Sequence, residues 1–240
     1  MQRVINFSGG RTSALMTILL KPTENDIVLF CDTGREVDGT YKFVDDFEKN
    51  EGIKVHRAIY TNRNAPGLTA YDALMKNRKR TPNVMERFCT ERLKVLMAKR
   101  YLRLMGIRVY ENYIGFRSDE PSRVTEYKNY IPKAVPKFPL YEMGITKPDV
   151  LQYWNLKSYN LDIPPILGNC DLCFLKGKDA IIKILSVYPE LAEKWIKDEH
   201  HGTYIKGTSY AQLLAIAKSR GREYGLEDVL PAYNCSCTSM

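Results

Sequence analysis

The sequence predicts an α/β protein: a Rossmann-like parallel sheet with helices on both faces, followed by a helical, cysteine-bearing C-terminal section. Three observations predict it. Short apolar runs alternate with helix-period segments through the first half of the chain. The first of these runs opens through a Ser-Gly-Gly turn into a helix. After about residue 145 the alternation stops and helix-period segments broken by prolines take over.

The elements follow in order. Val4-Ile5-Asn6-Phe7 reads as a strand, Ser8 to Arg11 as a turn, and Thr12 to Leu20 as a helix that Pro22 ends. Asp26 to Asp32 is a mostly apolar run, the pattern of a strand buried on both faces, and Thr33-Gly34 breaks it. A helix over Gly39 to Asn50 puts Tyr41, Val44 and Phe47 on one face, and Lys54 to Tyr60 is a third strand. A loop containing Pro, Gly and Asn and a basic stretch follow. Leu93, Val95, Leu96, Met97, Tyr101, Leu104 and Met105 then make a helix that Gly106 caps, and Arg108 to Phe116 is a fourth strand. Thr146-Lys147-Pro148-Asp149 starts a short helix, Pro164-Pro165 interrupts the chain, and helices are expected over 178–186, 189–199 and 208–219. The stretch Leu226 to Met240 reads as an extended tail. Two domains result: an α/β domain over 1–165 and a helical section over 166–240 with a C-x2-C and a C-x-C tail.

The 240 residues carry 36 Lys and Arg against 28 Asp and Glu, a net charge of +8, which points to an anionic ligand. The excess is local. Residues 76–108 contain eleven basic residues and two acidic ones, a window of +9 on a chain that is otherwise −1. No apolar run approaches the roughly 18 residues of a membrane span, and no signal peptide is visible after Met1. A cytoplasmic protein without membrane contact is therefore expected. In a reducing cytosol, cysteine clusters bind metal or carry redox and sulfur chemistry more often than they form structural disulfides.

In a parallel sheet, ligands sit at the carboxyl ends of the strands, and three turns end strands there: Ser8-Gly9-Gly10, Asp32-Thr33-Gly34 and Gly115-Phe116-Arg117. In the first, small residues let a phosphate approach the backbone. Amides at the helix start and the hydroxyls of Ser8, Thr12 and Ser13 can donate to it, and Arg11 adds positive charge.

Four segments, Ser8-Gly9-Gly10-Arg11-Thr12-Ser13, Phe30-Cys31-Asp32-Thr33-Gly34, Arg87 to Lys94 (RFCTERLK) and Gly115 to Arg123 (GFRSDEPSR), resemble in this order the phosphoadenosine phosphosulfate (PAPS) reductase family. That family lies within the adenine nucleotide alpha hydrolases with a pyrophosphate loop. Phe138-Pro139-Leu140 to Trp154, Gly168 to Cys173 and Cys235-Ser236-Cys237 extend the resemblance over nearly the whole chain. It implies that Ser8 to Ser13 hold phosphate or pyrophosphate, that Asp32, Thr33 and Gly34 lie near the nucleotide, and that Lys94, Gly115, Arg117 and Arg123 meet its sulfate or phosphate end. Asp119 and Glu120 are candidates to help place Mg²⁺. Arg11-Thr12 stands where ATP-cleaving members carry Lys-Asp, and the tail departs from the Glu-Cys-Gly-Leu-His-like end of typical PAPS reductases.

Of the six cysteines, Cys31 sits in a buried strand and reads as packing. Cys170 and Cys173 form a C-x2-C that suits an iron-sulfur cluster, zinc or a redox pair. The resemblance implies a 4Fe-4S cluster, with zinc as the alternative, on Cys89, Cys170, Cys173 and one tail cysteine, Cys235. The other, Cys237, is then the reacting thiol, and the two tail roles can be exchanged. The implied reaction on adenylyl sulfate or PAPS is reduction to sulfite, with a thioredoxin-like reductant. An ATP-dependent sulfurtransferase acting on a nucleic acid or small molecule is the alternative, and a catalytically silent nucleotide- or nucleic-acid-binding accessory is the third reading. The 76–108 window keeps a nucleic-acid acceptor in view, and a homo-oligomer stays open.

Overall fold

The computed structural model describes residues 1–78, 80–128, 133–168 and 170–220. The tail with Cys235 and Cys237 lies outside the described residues. Among them, β1 (Gln2–Asn6), β2 (Ile27–Asp32), β3 (Val55–Ile59), β4 (Tyr110–Tyr113) and β5 (Ala134–Lys137) form one sheet in the order β3-β2-β1-β4-β5, every neighbouring pair parallel. The helices between the strands are α1 (Arg11–Leu20), α2 (Asp38–Glu51) and α3 (Ala70–Asn77), then α4 (Phe88–Thr90), which runs through a π-helical turn (Glu91–Val95) into α5 (Leu96–Leu104). Next come α6 (Pro121–Lys128), α7 (Pro139–Glu142) and α8 (Lys147–Asn155), and the C-terminal section adds α9 (Lys178–Val187), α10 (Ala192–Asp198) and α11 (Tyr210–Arg220). No helix among the described residues is long and apolar enough to cross a membrane.

Side-chain alternation along the strands divides the core. Ile5, Phe7, Val28, Phe30 and Val55 face α1, α2 and α8, whereas Val4, Ile27, Leu29, Cys31 and Ala58 face Ala98 and Leu102 of α5. The α/β sheet with helices on both faces is thus what the alternating runs predict. Two expectations change. The fourth strand pairs only over Tyr110–Tyr113, because Ile114 to Arg117 leaves the ladder to form the site. The β5 strand went unrecognised: it is four residues long and contains Pro136, which an edge strand tolerates. The expected helix over 189–199 is divided into a 3₁₀ turn (Pro189–Leu191) and α10.

Past the double proline, packing crosses the point where strands give way to helices. Tyr71 and Leu74 of α3, together with Phe88 and Leu93, share one core with Leu172, Phe174, Ile181, Trp195 and Leu213. Four rings lie at its centre: Trp195 is 5.8 Å from Tyr71, 4.9 Å from Tyr204 and 5.3 Å from Tyr210 between centroids. Against them lies Arg35, from the loop after β2, only 3% exposed and with its guanidinium carbon 4.6 Å from the Tyr71 ring centre. One terminal nitrogen donates to Asp72 (2.6 Å) and Asp198 (2.7 Å), while Nε and the other terminal nitrogen have no hydrogen-bond partner among the described residues. Burial opposes the charge, and the two carboxylates outweigh it, holding the Arg35 pKa above its ordinary value. The Arg35 carbonyl accepts the Asp171 amide (3.1 Å) and Glu36 bridges to Cys170, so this loop also fixes the start of the C-x2-C segment.

Removing one partner of a buried ion pair strands the other charge. Asp198→Ala is therefore expected to cost about 3–5 kcal/mol in urea unfolding, and Asp72→Ala less, because its carboxylate is 35% exposed. A loss below about 1 kcal/mol for Asp198→Ala, the scale of a surface pair, would show that Arg35 is not the rivet between the two parts.

Candidate functional site

β1 and β4 lie side by side, but the chain leaves β1 toward β2 and leaves β4 toward β5. This reversal opens a crevice beyond their carboxyl ends. Asn6 ties the two strands there, donating through Nδ2 to Asn112 Oδ1 (2.7 Å) and to the Tyr113 carbonyl (2.9 Å). The crevice encloses about 250 Å³, and Ser8 to Ser13, Lys94, Gly115, Arg117 and Arg123 all line it, brought together from three separate segments.

The loop is braced from within. Ser13 Oγ donates to the Gly10 carbonyl (3.0 Å) and accepts from the Ser8 amide (3.0 Å), which leaves the Ser8 hydroxyl as donor across the 2.9 Å contact between the two side chains. Ser13 therefore shapes the loop. Gly9 is in the left-handed region (φ +74°), and a Cβ there would come within 2.7 Å of Thr40 Cγ2. Gly10 precedes α1 with no side-chain cap, and the first turn holds no acidic residue, so its amides and the positive end of the helix dipole serve the crevice. Arg11 is used differently from the expectation that its charge joins these amides. It lines the crevice, but its Nε donates to Asn160 Oδ1 (2.7 Å) and a terminal nitrogen donates to the Leu161 carbonyl. Its pKa is lowered by burial, against the pull of Asp162.

Across the crevice, Glu120 is buried between two arginines. Its carboxylate accepts the Arg117 amide (3.1 Å), lies 3.4 Å from the Arg117 guanidinium and pairs with Arg123. Asp119 accepts from Arg117 Nε (2.8 Å), and Arg123 stacks on Phe116 at 4.1 Å. Both carboxylates considered for Mg²⁺ are thus engaged by arginine. One buried carboxylate fixes two guanidinium forks, and with Asp119 it balances their charge, so what the wall offers an oxyanion is a set of preset N–H donors. The turn after β2 borders the crevice, which Cys31 and Glu36 line on either side of it: Asp32 Oδ1 accepts from the Gly34 amide (2.8 Å) and the Tyr41 hydroxyl (2.7 Å), and Asp32, Thr33 and Gly34 are not among the lining residues. Burial together with Glu36 and Asp32 pushes the Tyr41 pKa up, so its hydroxyl stays a donor. Glu36, unrecognised in the sequence, lines the crevice and accepts from Thr33 Oγ1 (2.8 Å).

Cys89, Cys170 and Cys173 line a second cavity with Thr33, Tyr71 and Trp195, and Lys94 lines both cavities. Cysteine sulfur is the donor that zinc and iron-sulfur groups take. This cavity measures about 20 Å³, room for one water. Among the described residues no three His, Cys, Asp or Glu side chains converge on a metal ion. Cys31 lines the crevice, yet burial pushes its thiol pKa up to about 12, and Lys94 only partly offsets this.

Two outcomes follow. Gly9→Ala forces a side chain into a strained, filled position and is expected to cost about 1–2 kcal/mol of stability and to abolish nucleotide binding measured by calorimetry; unchanged binding would remove the loop from the site. At pH 8 a thiol with a pKa near 12 is about 10⁻⁴ thiolate. Cys31 should then resist iodoacetamide in the native protein and react only on unfolding, as peptide mass mapping would record.

The comparisons agree with this geometry. An uncharacterized nin region protein of Escherichia phage lambda is 30% identical over 205 residues, covering 75% of this chain and 68% of its own length. Two uncharacterized proteins of Methanocaldococcus jannaschii are 27% and 25% identical over 209 and 201 residues, each across 80% of this chain. The chain spans 40% and 46% of their lengths. The phosphoadenosine phosphosulfate reductase domain is matched over residues 2–167, from β1 through the crevice-lining Gly115 to Arg123 segment, and the chain therefore belongs to the phosphoadenosine phosphosulfate reductase domain family.

Proposed function

We propose that the protein binds an adenine nucleotide in the crevice and carries out thiol-dependent sulfur chemistry on it, with reduction of adenylyl sulfate or PAPS to sulfite as the reaction. The observation that carries this reading is that Lys94 lines both the oxyanion crevice and the cysteine cavity. One cation there can hold a sulfonucleotide's anionic end beside the sulfur-bearing residues. The crevice amides and the Arg117–Glu120–Arg123 clamp supply the remaining oxyanion contacts.

In the proposed step a tail thiolate, Cys237 with Cys235 as its alternate, attacks the sulfur of the sulfonucleotide. The new S–S bond gives an S-sulfocysteine, the S–O bond breaks, and the electron pair leaves on the nucleotide phosphate. A second thiol attacks the cysteine sulfur and releases sulfite, and a dithiol protein of the thioredoxin type reduces the resulting disulfide. The α1 amides, Lys94 and the arginines hold the phosphate as its charge develops. Cys89, Cys170, Cys173 and Cys235 would hold a 4Fe-4S group, which would supply a redox-active centre on the Lys94 side of the crevice. Anaerobic purification with iron, sulfide and zinc analysis tests that ligand set: iron with acid-labile sulfide is expected, and stoichiometric zinc or no metal overturns it.

A second reading, ATP-dependent adenylation followed by sulfur transfer to a nucleic acid or small molecule, is favoured by one observation. Cys89, Cys170 and Cys173 line a cavity that shares Lys94 with the crevice, and three ligating thiols would leave one iron of a cluster open to carry the transferred sulfur.

Sulfite release from adenylyl sulfate or PAPS with a dithiol reductant is the deciding assay. Cys235→Ser with Cys237→Ser is expected to abolish it, and Lys94→Ala to lower kcat by about 10²–10³. Sulfite release that survives both tail substitutions rejects the tail thiol. Pyrophosphate release from ATP with no sulfite from either sulfonucleotide moves the assignment to the second reading.

A further inference from the structure

The outer side of α5 is a row of cations that meets no carboxylate. The helix buries Met97, Ala98 and Leu102 and presents Lys99, Arg100 and Arg103 outward, with Arg92 exposed one turn before and Arg108 exposed just after. Among the described residues none of these five forms an ion pair. Exposed cations on the neighbouring elements behave differently: Lys42 pairs with Asp46, and Arg57 with Asp45 and Glu48. The two acidic residues of the 76–108 window bring no relief, since Glu86 is taken by Arg80 and Glu91 pairs with none of the row. Like charges gathered on one helix face repel and are destabilising in the unliganded protein. That cost is offset when a polyanion lies along the row.

Geometry narrows the polyanion. From Arg92 to Arg103 the row runs about 16 Å at 1.5 Å per residue. It begins beside Lys94 at the mouth of the crevice. Apolar side chains are interleaved with the charges, Leu96 at 36% exposure, Leu104 at 79% and Met105 at 44%. The far end is a shallow hollow where His56 Nδ1 and the Tyr101 hydroxyl are 2.8 Å apart, beside exposed Lys54. Phosphates need only the cations. Apolar and aromatic surface between cations is what unstacked bases require, and a duplex keeps its bases inside.

We propose that the α5 row, from Arg92 to Arg103, is a docking surface for single-stranded nucleic acid, held by its phosphates on Arg92, Lys99, Arg100 and Arg103 with bases against Leu96, Leu104 and Tyr101. The inference does not depend on which sulfur reaction the crevice performs, because it concerns binding alone.

Fluorescence anisotropy with labelled 20-nucleotide DNA and RNA strands, no adenine nucleotide present, provides the test. Four phosphate contacts on a single strand predict a slope near −3 for log K against log salt, so binding weakens about 50-fold between 50 and 200 mM KCl. Arg92→Gln with Arg103→Gln, and Lys99→Gln with Arg100→Gln, should each reduce the slope by about 1.4, and the fourfold variant should bind at least 100-fold more weakly with a melting temperature no lower than that of the unsubstituted protein. Neutralising the exposed Lys194, Lys197, Lys206 and Lys218 removes the same charge elsewhere and should leave binding within about threefold. Equal losses in the two fourfold variants would overturn the proposal by showing a general charge effect. It is equally overturned by duplex binding as tight as single-strand binding, or by binding to phosphatidylserine vesicles with none to either strand.

Discussion

The reversal of chain direction between β1 and β4 is the constraint from which the site follows. Two adjacent parallel strands must both end at the same edge of the sheet, and because their outgoing chains diverge, no connection covers the space between them. Asn6 holds this seam shut at its base: a buried amide bridging Asn112 and the Tyr113 carbonyl has its polar atoms satisfied only while the strands keep this register. Above the seam, the α1 amides arrive from one side and the Gly115 to Arg123 segment from the other. Gly115 lies against the start of α1, where even a Cβ would be in ordinary contact, 3.5 Å, with the Ser13 Cα.

Charge within this crevice is arranged by buried acids as much as by bases. Glu120, with its side chain 2% exposed, holds Arg117 and Arg123 at fixed places, and Asp119 pairs with Arg117 from its other side. Without Glu120, two long flexible cations would lose rotamer entropy on every binding event. Glu36 works similarly at the boundary with the cysteine cavity, where it accepts from Thr33 and bridges backbone to backbone with Cys170. Arg35 completes the connection from the other side. A buried guanidinium between two carboxylates and two aromatic faces holds the C-terminal helices on the loop that also carries Glu36.

The sheet and the oxyanion crevice were legible in the sequence because both rest on local signals. Apolar runs mark β1 and β2, and small residues after a strand mark the loop. Pro136 concealed β5 because proline argues against a strand everywhere except an edge, and edge position is a property of the whole sheet. The direction of Arg11 was not legible either. Its partners Asn160 and Leu161 lie some 150 residues away in sequence, and nothing local distinguishes an arginine that meets phosphate from one that braces a distant loop. Arg35 carried no local sign, since it stands in sequence among Asp32, Thr33, Gly34 and Glu36, and its aromatic and acidic partners come from α3 and α10.

The π-helical turn explains how Lys94 comes to stand between the two cavities. In an α-helix each residue turns by about 100°, so Cys89 and Lys94, five positions apart, would lie about 140° from one another. The Leu96 amide instead donates to the Glu91 carbonyl five residues back, which widens the turn. Residues five apart then fall on the same side. Cys89 and Lys94 consequently share the wall of the cysteine cavity, while Leu93 remains in the core with Phe88 and Trp195. The widened turn is a backbone geometry that a plain helix avoids, and it persists here because both ends are pinned: Phe88 and Leu93 in the C-terminal core, Ala98 and Leu102 against the sheet. Lys94 thus lines both cavities only when both cores are packed, which makes the helical section part of what shapes the crevice and not an appendage to it.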